Sequence, residues 1–238
     1  LMPNDAFGQH LATSGRFDDE VEESVLMEEA AKYYANILMP FSALITRKIQ
    51  ELSGMGIPIK VIAPSHGVIW RSNPMKIVDA YKRWSEGAPK DKILIVYDSM
   101  WGSTTTMARA IADGIASQGI EVKFFKLRES DVTEIVTEIL DAKAVVVGSP
   151  TLNNSMFPSV AAFLTYIGGL KPKGKLWAFF GSYGWGKGAV RQMIETAQRA
   201  NFEVFERIIE VQYVPTEKEL EECFNFGKDL AQKVRSSK

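Results

Sequence analysis

The clearest chemical capacity in the sequence lies in a hydroxyl-rich stretch, Asp98-Ser99-Met100-Trp101-Gly102-Ser103-Thr104-Thr105-Thr106. Ser99, Ser103, Thr104 and Thr105 can each donate a hydrogen bond. Gly102 allows a tight turn with close backbone approach. A helical pattern follows, and a helix start turns free N–H groups and a positive dipole end toward an anion. No Lys or Arg occurs in the stretch before Arg109, so a phosphate would be held by neutral donors. That suits one terminal phosphate rather than a triphosphate. A single helix cap needs one hydroxyl, and this stretch holds more than that.

Two further loops carry polar and aromatic groups. Pro150-Thr151-Leu152-Asn153-Asn154 joins a proline-restricted turn to two amides that can meet the polar edge of a heterocycle, although a plain Asn-rich turn has the same composition. Gly181-Ser182-Tyr183-Gly184-Trp185-Gly186-Lys187-Gly188 approaches the phosphate-loop pattern G-x-x-x-x-G-K-[ST]. Its last position is glycine, so the hydroxyl that would bind Mg²⁺ is missing and a nucleotide reading fails. What remains is Tyr183 and Trp185 on glycine-flanked backbone, which together with Trp101 can stack on a flat ring.

Regular alternation positions these loops. Strand-like runs at 93–97, 122–127, 144–148, 176–181 and 204–213 alternate with helical patterns at 104–118, 130–140, 158–168, 188–201 and 217–235. Such alternation implies an α/β fold with a doubly wound, five-stranded parallel sheet. Ligands of these folds bind beyond the strand carboxyl ends, where the three loops fall.

The first part of the chain reads differently. Acidic residues from Asp18 to Glu23 precede two helical patterns, 20–38 and 41–53, separated by Pro40. A short strand is expected at Ile59–Ala63, then the loop Pro64-Ser65-His66-Gly67 and a helix from Pro74 to Trp84. One strand in almost ninety residues is too little sheet for an independent domain. Ser85–Lys90 reads as a linker, giving domains 1–88 and 89–238.

Composition narrows the classes. Lys plus Arg number 28 and Asp plus Glu 29, for a net charge of −1, so nothing electrostatic favours nucleic acid or an anionic membrane as partner. No apolar run approaches the ~20 residues that span a bilayer. One cysteine, Cys223, admits no internal disulfide and fits a reducing cytoplasm.

The stretch Ile93–Ile111 resembles the FMN phosphate loop of flavodoxin-like domains. Pro150–Asn154 and Ser182–Gly186 resemble the corresponding loops of flavodiiron proteins (A-type flavoproteins), and the resemblance extends over essentially all 238 residues. It implies FMN bound by Ser99, Met100, Trp101, Gly102, Ser103 and Thr104, by Pro150, Thr151, Leu152, Asn153 and Asn154, and by Ser182, Tyr183, Gly184, Trp185 and Gly186. In that family a metallo-β-lactamase-like αββα domain with a di-iron centre precedes the flavodoxin-like domain. Residues 1–88 resemble the mostly helical end of it. Asn4-Asp5-Ala6-Phe7-Gly8 and Ala63-Pro64-Ser65-His66-Gly67 resemble segments supplying iron ligands, which assigns metal roles to Asp5 and His66. The H-x-E-x-D-H motif of the family is not in this sequence, so two ligands of a binuclear site are expected here, with the di-iron centre requiring a further N-terminal segment.

The implied function is FMN-dependent electron transfer within an oxidoreductase that reduces O₂ to water or NO to N₂O. Its partners would be an external donor, either a rubredoxin-like protein or a reduced flavin-type cofactor, and a second copy arranged head to tail. A stand-alone flavodoxin-like electron carrier and an FMN quinone reductase are the competing readings. Asp5 and His66 in their settings favour the first. No C-x-x-C pair is present for an appended rubredoxin domain.

Overall fold

Lys-Ile-Leu-Ile-Val-Tyr, with every side chain buried, forms β1 (Lys92–Tyr97) in a computed structural model that describes residues 1–87 and 89–236. Burial on both faces marks an interior strand of a parallel sheet. The neighbours are β2 (Glu121–Lys126) and β3 (Ala144–Leu152), followed outward from β3 by β5 (Leu176–Tyr183) and β6 (Glu203–Gln212). The order β2-β1-β3-β5-β6 is parallel throughout, and β4 (Ser155–Met156) adds a short antiparallel pairing to the end of β3. The expected five parallel strands are present, and the two-residue β4 makes a sixth. Connecting helices are α4 (Ser103–Ala116), α5 (Val132–Asp141), α6 (Pro158–Leu170), α7 (Ala189–Arg199) and α8 (Glu217–Ser236).

Helix α4 turns Met107, Ile111 and Ile115 inward, and α8 turns Phe226, Leu230 and Val234 inward, each set at four-residue spacing. They bury one face of the sheet with Ile93, Ile95 and Phe180. The two helices meet backbone to backbone. A Cβ at Gly114 would lie 2.0 Å from the Phe224 carbonyl oxygen, and one at Gly227 would lie 2.1 Å from that of Ile111. On the sheet's outer strand pair, Trp177 stacks on Phe202 with ring centroids 4.4 Å apart.

Lys175, directly before β5, is 5% exposed, and its Nζ donates to the Leu140 carbonyl at 2.9 Å. Burial pushes its ammonium down to about 8, against the opposing pull of Asp141. Lys92 is also buried, and is matched by Glu138 at 2.7 Å.

The chain divides into two compact units, Leu1–Ala88 and Pro89–Lys238. In the first, α1 (Glu23–Tyr33) passes through a π turn (Tyr34–Leu38) and a 3₁₀ turn (Met39–Phe41) into α2 (Ser42–Gly54). Pro40 has no N–H to give and falls in the 3₁₀ turn, where the helix breaks as its ring chemistry requires. α3 (Pro74–Glu86) completes the unit, with Gly87 in the left-handed region as its cap. The linker expected to begin at Ser85 therefore starts later, since Ser85 and Glu86 are helical; Ala88 lies outside the described residues. Tyr34, Tyr81 and Trp84 form the aromatic centre, with ring centroids 5.0–5.5 Å apart. The strand expected at Ile59–Ala63 is reduced to one antiparallel bridge between Ile62 and Trp70. Ile62 is fully buried and Ile59 and Ala63 are half-buried, whereas Lys60 and Val61 face solvent, so the run packs at intervals without extending into a ladder.

Two stability measurements follow from these contacts. Gly114→Ala and Gly227→Ala, which force a methyl into a backbone carbonyl, should each lower the unfolding free energy by about 1–3 kcal/mol in urea titration. Gly169→Ala in α6, whose Cβ would meet nothing within 4 Å, should instead raise it by about 0.5–1 kcal/mol. For Lys175, the unfolded chain keeps its proton up to the ordinary lysine range near 10.5, while the folded protein releases it at about 8. The unfolded state therefore binds more protons within that window, and this group's contribution makes stability rise with pH. Urea midpoints across pH 7–10 should show Lys175→Met gaining most on the parent protein below pH 8 and losing that advantage toward pH 10.

Candidate functional site

β1 ends at Tyr97, opposite Gly148, while β3 and β5 continue side by side through Ser149–Gly181 and Pro150–Ser182. The loops after β1, β3 and β5 are thus brought together at one edge. Pro150, expected in a loop, lies within β3 beyond the end of β1.

Asp98 is the first residue after β1 and is fully buried. Its carboxylate accepts from the Ser99 N–H at 2.7 Å and the Ser159 hydroxyl at 2.6 Å. Arg128 Nε, from the loop after β2, completes the set at 2.8 and 3.0 Å from the two oxygens. The same guanidinium donates through Nη2 to the Ser99 carbonyl and lies 5.1 Å from the Phe157 ring centroid. Arg128 and Ser159 were not singled out from the sequence. The available signal was an Asp ending an apolar strand, which needs a buried cationic or hydroxyl partner.

Ser99 is 5% exposed and its Oγ accepts from the Gly102 N–H at 3.0 Å, so its own hydroxyl hydrogen remains to be donated. Gly102 adopts φ +95°, a conformation that favours glycine, and starts α4 without any side-chain cap. None of the neighbouring hydroxyls serves as the helix cap, and the first-turn N–H groups of Ser103, Thr104 and Thr105 have no backbone partner among the described residues. Thr104 differs from the expectation of a free donor. It is 1% exposed and its Oγ1 is 2.9 Å from Ser182 Oγ, so the pair together leaves one hydroxyl hydrogen to give.

Asn153 and Asn154 occupy the two-residue turn between β3 and β4, at φ +49° and +58°. Paired left-handed residues are what such a hairpin turn demands, and asparagine tolerates them. Their identity therefore has a backbone explanation. Leu152 and Ser155 close the hairpin, and Thr151 Oγ1 accepts from the Ala189 N–H that opens α7 at 3.3 Å. Gly188 fits against this turn: a Cβ there would stand 2.1 Å from the Asn154 carbonyl oxygen. The glycine that spoils the nucleotide pattern is thus a packing requirement.

Trp101 is 88% and Trp185 100% exposed, flanking the edge on both sides with Met100 at 41%. Tyr213 and Val214, from the turn after β6, are exposed beside Tyr183 and Gly184. They were not anticipated. Gln212 Nε2 donates to the Gly184 carbonyl at 3.0 Å, and the Lys187 ammonium lies 5.2 Å from the Tyr183 ring centroid. Gly186 lies against the Asn154 side chain. The edge thus offers uncapped N–H groups, hydroxyl donors and exposed indoles, with the nearby guanidinium already paired. It suits an anion joined to a flat aromatic ring.

In the first unit, the segment carrying Asp5 and that carrying His66 are stitched together by buried hydrogen bonds. Trp70 Nε1 donates to the Phe7 carbonyl, and the Val68 N–H to Gln9 Oε1, both at 2.8 Å. Gly67, at φ +77°, leaves no room for a Cβ beside Gln9. His66 Nε2 consequently lies 3.2 Å from Asp5 Oδ1, which also accepts from Ser65 Oγ at 3.2 Å. Neither residue ends a strand; turns and bends hold both. His10 and Tyr33 adjoin, with His10 5.6 Å from His66 and 4.8 Å from Tyr33 between ring centroids. Burial, then Asp5, raises the Tyr33 phenol. Among the described residues no group of three or more His, Cys, Asp or Glu is placed to hold a metal. Two donors bonded to each other do not make a binuclear iron centre.

The flavodoxin family model matches residues 95–227. A nitric oxide reductase of Moorella thermoacetica is 52% identical over 98% of this chain and 59% of its own length. The rubredoxin oxygen:oxidoreductase of Desulfovibrio gigas superposes with a TM-score of 0.95 at 36% identity, over 99% of this chain and 59% of that one. The flavodiiron protein of Giardia intestinalis gives 0.92 at 40% identity, over 99% and 58%. The chain spans somewhat under 60% of the length of these relatives. It therefore belongs to the flavodoxin family through residues 95–227, and its homologues along nearly the whole chain are flavodiiron proteins and nitric oxide reductases.

Proposed function

We propose that this chain is the FMN-binding, electron-transferring part of a flavodiiron oxidoreductase that reduces O₂ to water, NO to N₂O, or both. The observation that carries the reading is the uncapped, hydroxyl-lined start of α4 between two almost fully exposed tryptophans, in a chain homologous to flavodiiron proteins. FMN, when bound, supplies one- and two-electron redox chemistry. The protein's part is to bind and orient it. Ser99, Ser103 and the Thr104–Ser182 hydroxyl pair, with the N–H groups after Gly102, hold the phosphate. Met100, Trp101 and Trp185 cover the ring, and Pro150–Asn154 with Ser182–Gly186 border its polar edge.

The names of the relatives support both gases as substrates, because one pairs rubredoxin with oxygen and another specifies nitric oxide. A rubredoxin-like protein or a reduced flavin-type cofactor is the proposed donor, and a head-to-tail homodimer in the cytoplasm the working form. Among the described residues, no helix is long and apolar enough to cross a membrane. Asp5 and His66 are proposed as two ligands of an iron centre whose other ligands lie outside these 238 residues. Their adjacency at 3.2 Å, in a segment homologous to flavodiiron proteins, favours this over a metal-free carrier or quinone reductase.

Titration with FMN, followed by tryptophan emission, tests the site. Binding should quench emission from Trp101 and Trp185, and Ser99→Ala with Ser103→Ala should weaken it by about 1–3 kcal/mol. Unchanged affinity in that double variant would remove the phosphate assignment. Metal analysis tests the iron reading: the 238-residue protein should bind FMN but little iron. A longer form carrying the remaining ligands should hold iron and lose it with Asp5→Ala or His66→Ala. Two irons per 238-residue chain, or full iron in both variants, would overturn the assignment.

A further inference from the structure

We propose that Arg128 is a positioning residue for the anion-binding loop, holding Ser99 in the orientation that shapes the start of α4. The inference rests on the FMN reading and concerns how affinity for the phosphate is built.

The geometry runs outward from one side chain. Arg128 grips the loop at two points, the Asp98 carboxylate through Nε and the Ser99 carbonyl through Nη2. Asp98 in turn accepts the Ser99 N–H. Both peptide groups flanking the Ser99 Cα are therefore held, one directly and one through Asp98. Ser99 Oγ then receives the Gly102 N–H at 3.0 Å, and Gly102 begins α4. The placement of the phosphate donors thus depends on a guanidinium that need not touch the phosphate.

Arg128 is suited to this by its planar fork, which can serve a carboxylate and a carbonyl together. Lysine offers a point charge and cannot reproduce that spread. The Phe157 ring lies beneath the guanidinium, with its centroid 5.1 Å from Cζ. Asp98 is fully buried, whereas the Arg128 side chain is 51% exposed, so replacing the arginine opens no core cavity. Its charge is matched by Asp98, so a variant that keeps the charge separates a geometric influence from an electrostatic one.

A geometric role of this kind predicts selectivity between flavins. Riboflavin has the ring of FMN without the phosphate, so it can meet the exposed tryptophans but makes no use of the phosphate donors at Ser99 and the start of α4. The parent protein, Arg128→Gln and Arg128→Lys would be titrated with FMN and with riboflavin, with urea unfolding in parallel. The expected result is at least a tenfold loss of FMN affinity in Arg128→Gln, with riboflavin affinity within twofold of the parent. Arg128→Lys, which keeps the ion pair but loses the carbonyl bond, should show a smaller loss confined to FMN, and carries the test if the glutamine variant unfolds. FMN affinity unchanged in the folded variants overturns the proposal while leaving the FMN site intact. Equal losses for both flavins also overturn it, since they indicate general loosening. A parent protein that binds no FMN overturns this inference and the flavin reading together.

Discussion

A buried carboxylate must be met by donors, and in this protein the requirement falls at the carboxyl end of the interior strand β1. Asp98 is removed from solvent because β1 is covered on both faces and the adjacent β3 continues beyond it. An unpaired charge in that position would cost several kcal/mol. The donors that meet it come from the loop after β1, the loop after β2 and the first turn of α6. One charge therefore ties three segments together, and the geometry of the candidate site follows from that tie. The loop is rigid at its buried base and open at its tip, where Trp101 meets solvent.

The sheet supplies the frame. Parallel pairing places every carboxyl end on one side, and the stagger between β1 and the longer β3 and β5 makes a step in which loops converge. The step is kept in place by the layer of α4 and α8, whose glycines allow main-chain contact. Because α4 also begins at the hydroxyl-rich loop, the packing of its distant end against α8 and the shape of the candidate site at its start belong to one rigid body. The hydroxyl bond between Thr104 and Ser182 then locks that helix to the end of β5.

The first unit obeys a similar logic with less sheet. Buried indole and amide groups, Trp70 and Gln9, fasten the segment before residue 10 to the segment after residue 65. Left-handed Phe7 and Gly67 are consequences of that fastening. The proximity of Asp5 to His66 is held by backbone and core interactions, independent of any bond between their side chains. That arrangement presents two donors in fixed positions, which is the condition under which further ligands can complete a metal site.

Much of this was legible from residue order. The alternation of buried strands and amphipathic helices, the loops at the strand ends and the hydroxyl-rich turn with its glycine are local patterns, because side-chain periodicity and turn conformations are set by neighbours in sequence. The same locality explains the failures. Ile59–Ala63 has the composition of a strand but gains only one bridge, since pairing partners are a tertiary matter. The sequence leaves Asn153 and Asn154 open between amide partners and a plain Asn-rich turn, and only the β3–β4 pairing shows that they take a left-handed hairpin turn. Arg128 lies 30 positions from Asp98, Ser182 78 from Thr104 and His66 61 from Asp5. Sequence determined which groups could hold an anion and a flat ring. Register and packing decided which of those groups are already bonded to one another, because that depends on distances no local pattern encodes.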